Sequence, residues 1–339
     1  MYSFFRKIIF LLSAETAHDL TMEALAVAQR LGLIRLLPKL SKQKSVTIAG
    51  IEFPNAVGLA AGLDKNGDCI DALGALGFGF IEVGTVTPVA QPGNPQPRCF
   101  RIPEKEAIIN RMGFNNKGVD YLVERVKRSQ YQGVIGINIG KNKVTPEDEA
   151  INDYLYCLDK AYPVAGYIAV NLSSPNTPGL RNLQFGENLK QLIVALKQRQ
   201  AELDKVHDHK PIFIKIAPDL TEQEVSELAQ VFNELQVDGV IATNTTVERA
   251  EVEGYKYSSE AGGLSGAPLR EQSNAVIKQF REQLNADIPI IGVGGVMSAH
   301  DAEEKLRHGA DLVQIYSGFI YQGPGLVKKT AALLAKLDN

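Results

Sequence analysis

Gly166-Tyr167-Ile168-Ala169-Val170-Asn171-Leu172-Ser173-Ser174-Pro175-Asn176-Thr177-Pro178-Gly179-Leu180-Arg181 joins two unlike halves. The first five residues are an apolar run rich in β-branched and aromatic side chains, which predicts a buried strand; the rest is a polar cluster placed where that strand emerges. Asn171 and Asn176, each with one acceptor and two donors, flank the hydroxyls of Ser173 and Ser174, while the prolines and Gly179 hold the backbone in a turn. Alone, such a cluster also describes an ordinary turn. Its recurrence behind other apolar runs decides the fold.

Working outward, seven more runs of this kind predict strands: Val57 to Ala61, Phe80 to Val86, Val134 to Ile139, Ile212 to Ile216, Gly239 to Thr243, Ile288 to Val293 and Leu312 to Tyr316, with Tyr167 to Leu172 fourth among the eight. Amphipathic stretches such as Asn188 to Leu203, Glu222 to Leu235, Asn274 to Leu284 and Ala299 to His308 lie between them and predict helices. Short, nearly all-apolar strands separated by helices require a parallel sheet buried on both faces. Eight such units predict an α/β protein built as a closed (β/α)8 TIM barrel, which a chain of 339 residues accommodates together with a small N-terminal helical appendage.

The polar clusters all follow their strands: Gly62-Leu63-Asp64-Lys65-Asn66, Gly84-Thr85, Asn138-Ile139-Gly140, Asn171 to Asn176, Lys215, Thr243-Asn244-Thr245-Thr246, Gly294-Gly295 and Tyr316-Ser317-Gly318. In barrel enzymes this C-terminal face carries the active site, and phosphate often rests on the loops after strands seven and eight. Gly294-Gly295 and Ser317-Gly318 suit an anion, although a glycine pair after a strand also makes a plain tight turn. The GxGxxG dinucleotide fingerprint is absent. Lys215 interrupts the apolar run Ile212-Phe213-Ile214-Lys215-Ile216 and is expected, with Lys65, at the barrel mouth. A fixed cation there would stabilise negative charge developing on a bound cofactor, such as the anion of a reduced flavin ring. Asn110, Asn138, Asn171, Asn176 and Asn244 add the paired donors and acceptors that a flat imide-bearing ring needs.

The first 40 residues differ in kind. Phe4-Phe5-Arg6-Lys7-Ile8-Ile9-Phe10-Leu11-Leu12 is apolar with two cations, too short to span a bilayer and without a small-residue cleavage site for a secretory signal. Glu15 to Leu31 places Ala17, Leu20, Ala24, Val27, Ala28 and Leu31 at helical spacing, and Gly32 can close that helix. Two amphipathic helices result, fit either to pack on the main domain or to lie on a membrane; Phe4, Phe5 and Phe10 beside Arg6 and Lys7 favour the membrane surface. A polar linker, Ser41-Lys42-Gln43-Lys44-Ser45, precedes a hairpin over Val46 to Phe53 with its turn at Ala49-Gly50. A composition of 45% apolar and 22% charged residues is that of a soluble globular protein, and a net charge of −3 argues against a nucleic-acid partner. Cys69, Cys99 and Cys157 lie far apart, and the histidines do not cluster, so no disulfide framework, metal site or Ser/His/Asp triad is expected.

Five motifs together resemble the dihydroorotate dehydrogenase family: Ala61-Gly62-Leu63-Asp64-Lys65-Asn66, Ile109-Asn110-Arg111-Met112-Gly113-Phe114-Asn115-Asn116, Asn171 to Thr177, Gly262-Gly263-Leu264-Ser265-Gly266 and Ile291-Gly292-Val293-Gly294-Gly295. The N-terminal helices, and Ser174 where the soluble class carries cysteine, resemble the membrane-associated, quinone-reducing class. This resemblance implies oxidation of (S)-dihydroorotate to orotate in pyrimidine synthesis, with FMN as cofactor, a membrane quinone as acceptor, and peripheral attachment to the cytoplasmic face of the inner membrane. It implies Ser174 as the catalytic base, with a proton path through Thr177 or an ordered water as a hypothesis. Substrate would be bound by Lys65, Asn110, Arg111, Met112, Gly113, Phe114, Asn171, Asn176, Asn244 and Thr245. FMN would be held by Ala61, Gly62, Lys65, Thr85, Asn138, Asn171, Lys215, Thr243, Gly266, Gly295, Tyr316 and Ser317, and quinone by His18, Arg101 and Tyr316. The implied division is a quinone-access domain over residues 1–40 and a catalytic barrel over 46–339. Two other readings stay open: a soluble-type enzyme using fumarate or NAD, and a barrel that binds a phosphorylated ligand without turnover.

Overall fold

A computed structural model describes residues 2–36 and 44–337. Eight parallel strands, Val57–Leu59, Phe80–Val86, Val134–Ile139, Tyr167–Asn171, Ile212–Ile216, Gly239–Ala242, Ile290–Val293 and Leu312–Ile315, close in chain order into a barrel, the last pairing with the first through Val313 and Val57. All eight sequence-predicted strands are present; several end a residue or two early because the polar cluster leaves the ladder to form the rim. The helices between them include Gly186–Leu203, Glu222–Glu234, Arg270–Gln283 and Ala299–Arg307. Thr221 and Ser298 start two of these with reciprocal capping boxes to Glu224 and Asp301, which satisfy N–H groups that the first turn leaves unpaired.

Side chains fill the barrel in layers. Phe80, Tyr167 and Phe213 pack edge to face low in the interior, with centroids 6.4 and 5.3 Å apart. Glycines make room for them: a Cβ on Gly58, Gly136 or Gly239 would lie 2.2, 2.1 or 2.3 Å from these rings. The expected hairpin, Val46–Ile48 against Ile51–Phe53, turns through Ala49 and Gly50 at φ +49° and +75° and sets Phe53 under Phe80, 5.1 Å between centroids. The N-terminal end of the barrel is thereby plugged. Because side chains alternate along a strand, Glu82 and Lys215 follow Phe80 and Phe213 one pleat nearer the mouth.

Two additions flank the mouth. Cys99–Ile102, Ala107–Asn110 and Gly263–Gly266 form a three-stranded antiparallel sheet around a second small core of Phe100, Ile102, Ala107, Ile109, Val252 and Leu264. The helices Tyr2–Ile9 and Ala14–Arg30 cover one side. Ser13 caps the second by accepting from the Thr16 N–H at 3.2 Å. Their hold on the barrel is both polar and apolar: Tyr2 donates to the Ile320 carbonyl at 2.6 Å, Arg6 to that of Tyr321 at 2.5 Å, Glu15 pairs with Arg98 at 2.8 Å, and Met22, Leu25 and Ala26 pack half-buried against the core. Ala17 is the sole fully buried residue of the pair, while Phe4, Phe5, Ile8, Leu11, Leu20 and Leu31 face outward. The expected boundary at residue 40 and the linker residues 41–43 lie outside the described residues.

Candidate active site

The rim of the barrel encloses a cavity of about 1000 Å³, counted to its open mouth. Lys65, Ser174 and Lys215, 150 residues apart in the chain, line it together. So do Ala61, Gly62, Thr85, Asn110, Met112, Gly113, Phe114, Asn171, Asn176, Thr243, Asn244, Thr245, Gly266, Gly295, Tyr316 and Ser317. Two of the expected site residues stand apart. Asn138 lies beneath the floor, where it accepts from Thr85 at 2.5 Å and donates to Glu82 at 2.7 Å. Arg111 turns outward to pair with Glu260 at 2.6 Å, its guanidinium stacked 4.7 Å from the Phe100 ring.

The serine-bearing loop is fixed from several sides. Arg181 donates to the Ser173 and Thr245 carbonyls at 3.1 and 3.0 Å and is itself held by Asp219 at 2.8 Å. Asn244 donates to Ser173 Oγ at 3.0 Å. Ser174 Oγ accepts from the Asn176 N–H at 3.3 Å and is nearly buried. No carboxylate or imidazole lines this cavity among the described residues. Thr177 Oγ1 is buried without a protein partner.

Beneath the floor sits a group that sequence reasoning missed. The fully buried Glu82 carboxylate accepts from Asn138 at 2.7 Å and Lys215 at 3.3 Å on one oxygen, and from Gln314 at 2.7 Å and Tyr167 at 3.0 Å on the other. Removing one member of a buried ion pair leaves an uncompensated charge, a cost of about 3–5 kcal/mol. The available signal was a lone glutamate in Phe80-Ile81-Glu82-Val83, opposite in sign to the lone lysine of the fifth strand.

The cavity fits a flat ring with an anionic tail. Gly294 and Gly295 meet Ser317 and Gly318, the first residues of a helix, whose N–H groups have no intrahelical partner. A Cβ at Gly295 would lie 2.4 Å from Arg270 Cα and one at Gly318 1.9 Å from the Val296 carbonyl, so backbone approaches here as only glycine permits. At the floor, Gln314 Oε1 is buried and unpaired, an acceptor awaiting a donor.

A second cavity, of about 1290 Å³, lies between the two N-terminal helices and the barrel. Ile9, Phe10, Ala17, Met22, Leu25, Leu63, Ile108 and Phe319 make it apolar, and His18, Arg101 and Tyr316, the three residues expected around an apolar acceptor, all reach it. Arg101 stacks 4.2 Å from the Phe10 ring and donates to the Leu12 carbonyl. Burial, reinforced by the Lys65 charge, lowers the pKa of His18 to about 3, so its imidazole is neutral. Burial likewise raises the Cys99 thiol to about 11 and lowers Lys65 from the usual lysine range. Lys65, Asn110, Met112 and Tyr316 line both cavities and form the wall between them.

Residues 43–337 match the family described as dihydroorotate dehydrogenase. The chain belongs to that family. A relative from Pseudomonas fluorescens named dihydroorotate dehydrogenase (quinone) is 56% identical over 338 residues, covering 99% of this chain and 100% of its own. One of the same name from Psychromonas ingrahamii is 57% identical over 328 residues, covering 96% and 98%. The crystal structure of DHODH from Eimeria tenella in complex with ferulenol superposes with a TM-score of 0.86 at 37% identity, covering 94% of this chain and 89% of that one. The dihydroorotate dehydrogenase family is flavin-dependent, and its quinone-type members associate with membranes. No helix among the described residues is long and apolar enough to cross one.

Proposed function

We propose that dihydroorotate is oxidised to orotate at the barrel mouth and that a membrane quinone collects the electrons from the cavity under the N-terminal helices. The convergence of Lys65, Ser174 and Lys215 on one cavity that shares a wall with an apolar one carries this reading. Quinone as acceptor, rather than fumarate or NAD, agrees with the names of the full-length relatives, and that agreement also favours a catalytic over a purely binding role.

A flavin mononucleotide bound in the mouth supplies the acceptor for the hydride that leaves C6 of the substrate. Thr85, Asn171, Lys215 and Thr243 would hold its ring, and Gly266, Gly295 and Ser317 its phosphate. Asn110, Asn171, Asn176 and Asn244 present amide donors and acceptors to the substrate ring, and the Lys65 ammonium faces its carboxylate. Ser174 Oγ takes the C5 proton. An isolated serine hydroxyl is a poor base, so position matters: Arg181 and Asn244 fix the adjoining Ser173, and the Asn176 N–H holds Ser174 Oγ itself at 3.3 Å. The Thr177 hydroxyl, three residues on in the same loop and buried without a protein partner, would be the relay for that proton. Phe4, Phe5, Ile8 and Leu11, exposed beside Arg6 and Lys7, would lie in the membrane interface on the cytoplasmic side, with residues 1–40 acting as the access domain of the 46–339 barrel.

Anaerobic titration tests the reading. The purified protein is expected to be yellow, to bleach with dihydroorotate, and to regain colour with a quinone but not with fumarate or NAD. A colourless protein, or bleached protein that fumarate reoxidises equally fast, would exclude it.

A further inference from the structure

Glu82 is hard to account for as scaffold. A carboxylate in the middle of a barrel is costly to desolvate, and an apolar side chain of similar volume would serve packing as well. Its four donors give it a different logic. Lys215 has no protein partner among the described residues other than Glu82, at 3.3 Å, and its side chain lines the cavity above. Asn138, held at 2.7 Å, in turn accepts from Thr85, which accepts from Asn171 at 3.0 Å. Gln314 offers its Nε2 to both Glu82, at 2.7 Å, and Tyr167, at 3.2 Å. Since a carboxylate only accepts, the amide of Gln314 is locked with its oxygen turned away, which is why Oε1 is left as a buried, unpaired acceptor. One carboxylate therefore orients the cation, the amide acceptor and, through Asn138, the polar row along the cavity floor.

The reduced state of a flavin carries more negative charge than the oxidised state, so a bare ammonium beside it favours reduction. A carboxylate 3.3 Å behind that ammonium opposes it. We propose that Glu82 is a positioning residue that sets the reduction potential of the bound flavin, by counterbalancing Lys215 and locking the acceptor of Gln314, and so keeps the reduced cofactor able to pass its electrons on. This rests on the reading that a flavin occupies the mouth.

The test is the midpoint potential of the flavin-loaded protein, measured by equilibration with a redox dye, beside its visible spectrum. Glu82→Gln keeps the shape and removes the charge. It is expected to shift the potential positive, raising the ratio of reduced to oxidised flavin at a fixed dye potential by about tenfold. Reoxidation by quinone should slow in the same protein. Tyr167→Phe removes one donor from the carboxylate and leaves more of its charge uncompensated, so it is expected to shift the potential the other way by a smaller amount. Unchanged potentials in both variants, or a negative shift in Glu82→Gln, would overturn the proposal and leave Glu82 a prop. If Glu82→Gln does not fold, Tyr167→Phe decides, and a wild-type potential there overturns it. A wild-type protein that purifies without flavin would instead defeat the reading of the mouth, whatever Glu82 does.

Discussion

The two cavities meet at one wall and are built on opposite plans. The mouth is assembled from the ends of barrel strands, and its side chains are cross-tied: Arg181 bridges two loops, and Glu82 binds four donors across the floor. The cavity beside it is roofed by two helices that fully bury one residue, Ala17, and are held by half-buried Met22, Leu25 and Ala26 and a few polar contacts. Many hydrogen bonds in little water make a site of fixed shape, as proton and hydride removal require. Few buried contacts make a region that opens at low cost, as admission of a long apolar molecule requires.

The sharpest way to separate the two is at Ser174. Ser174→Ala is expected to retain flavin and the quinone half-reaction while slowing flavin reduction by dihydroorotate by about 10²–10⁴-fold, read by anaerobic stopped flow. An unchanged single-turnover rate would remove Ser174 as the base. Deleting residues 1–40 should do the reverse. Turnover with long-chain quinones and binding to vesicles are expected to fall by about tenfold or more as the exposed apolar side chains are lost, with flavin reduction nearly intact. If the truncated protein cannot be reduced, the helices belong to the core and the contrast collapses. The smallest effect is set by His18, neutral where the helix docks and with a pKa of about 3 there against 6.5 when free. Its docking contribution is complete above 6.5 and is lost as pH falls from 6.5 toward 3, by about tenfold in the docking equilibrium per pH unit. Quinone turnover should therefore decline below pH 6.5 more steeply than flavin reduction, and His18→Gln should flatten the difference.

What could be read from the chain follows the same divide between local and distant. Each barrel strand is a short apolar run, so one window of residues reveals it, and the cluster behind it marks the rim. The antiparallel sheet over the mouth escaped notice because it pairs Ala107–Asn110 with Gly263–Gly266, across a separation no periodicity spans. Glu82 escaped for another reason: it lies mid-strand rather than in the polar cluster at a strand's end, and only closure of the barrel brings it beneath Lys215. Asn138 and Arg111 carried the right chemistry for a binding site, yet one supports the floor from below and the other ties the outer sheet to the loop at Glu260. Motif membership does not say which way a side chain points. The loop over 247–260 is polar in sequence and without a clear period, yet it is anchored by Arg249 to the Gly262 carbonyl at 2.6 Å and by the buried Val252.

Phe80, Tyr167 and Phe213, seated in the gaps left by Gly58, Gly136 and Gly239, stopper the lower end of the barrel with Phe53 beneath them. Nothing enters from that side. The chain can thus exchange its rim segments for ones that admit a different small molecule without disturbing the stopper, and Phe53, Phe80 and Phe213 can be repacked for a hotter or colder habitat without touching selectivity. Tyr167 alone belongs to both halves, because its hydroxyl reaches Glu82 at 3.0 Å; elsewhere durability and choice of guest are free to evolve apart.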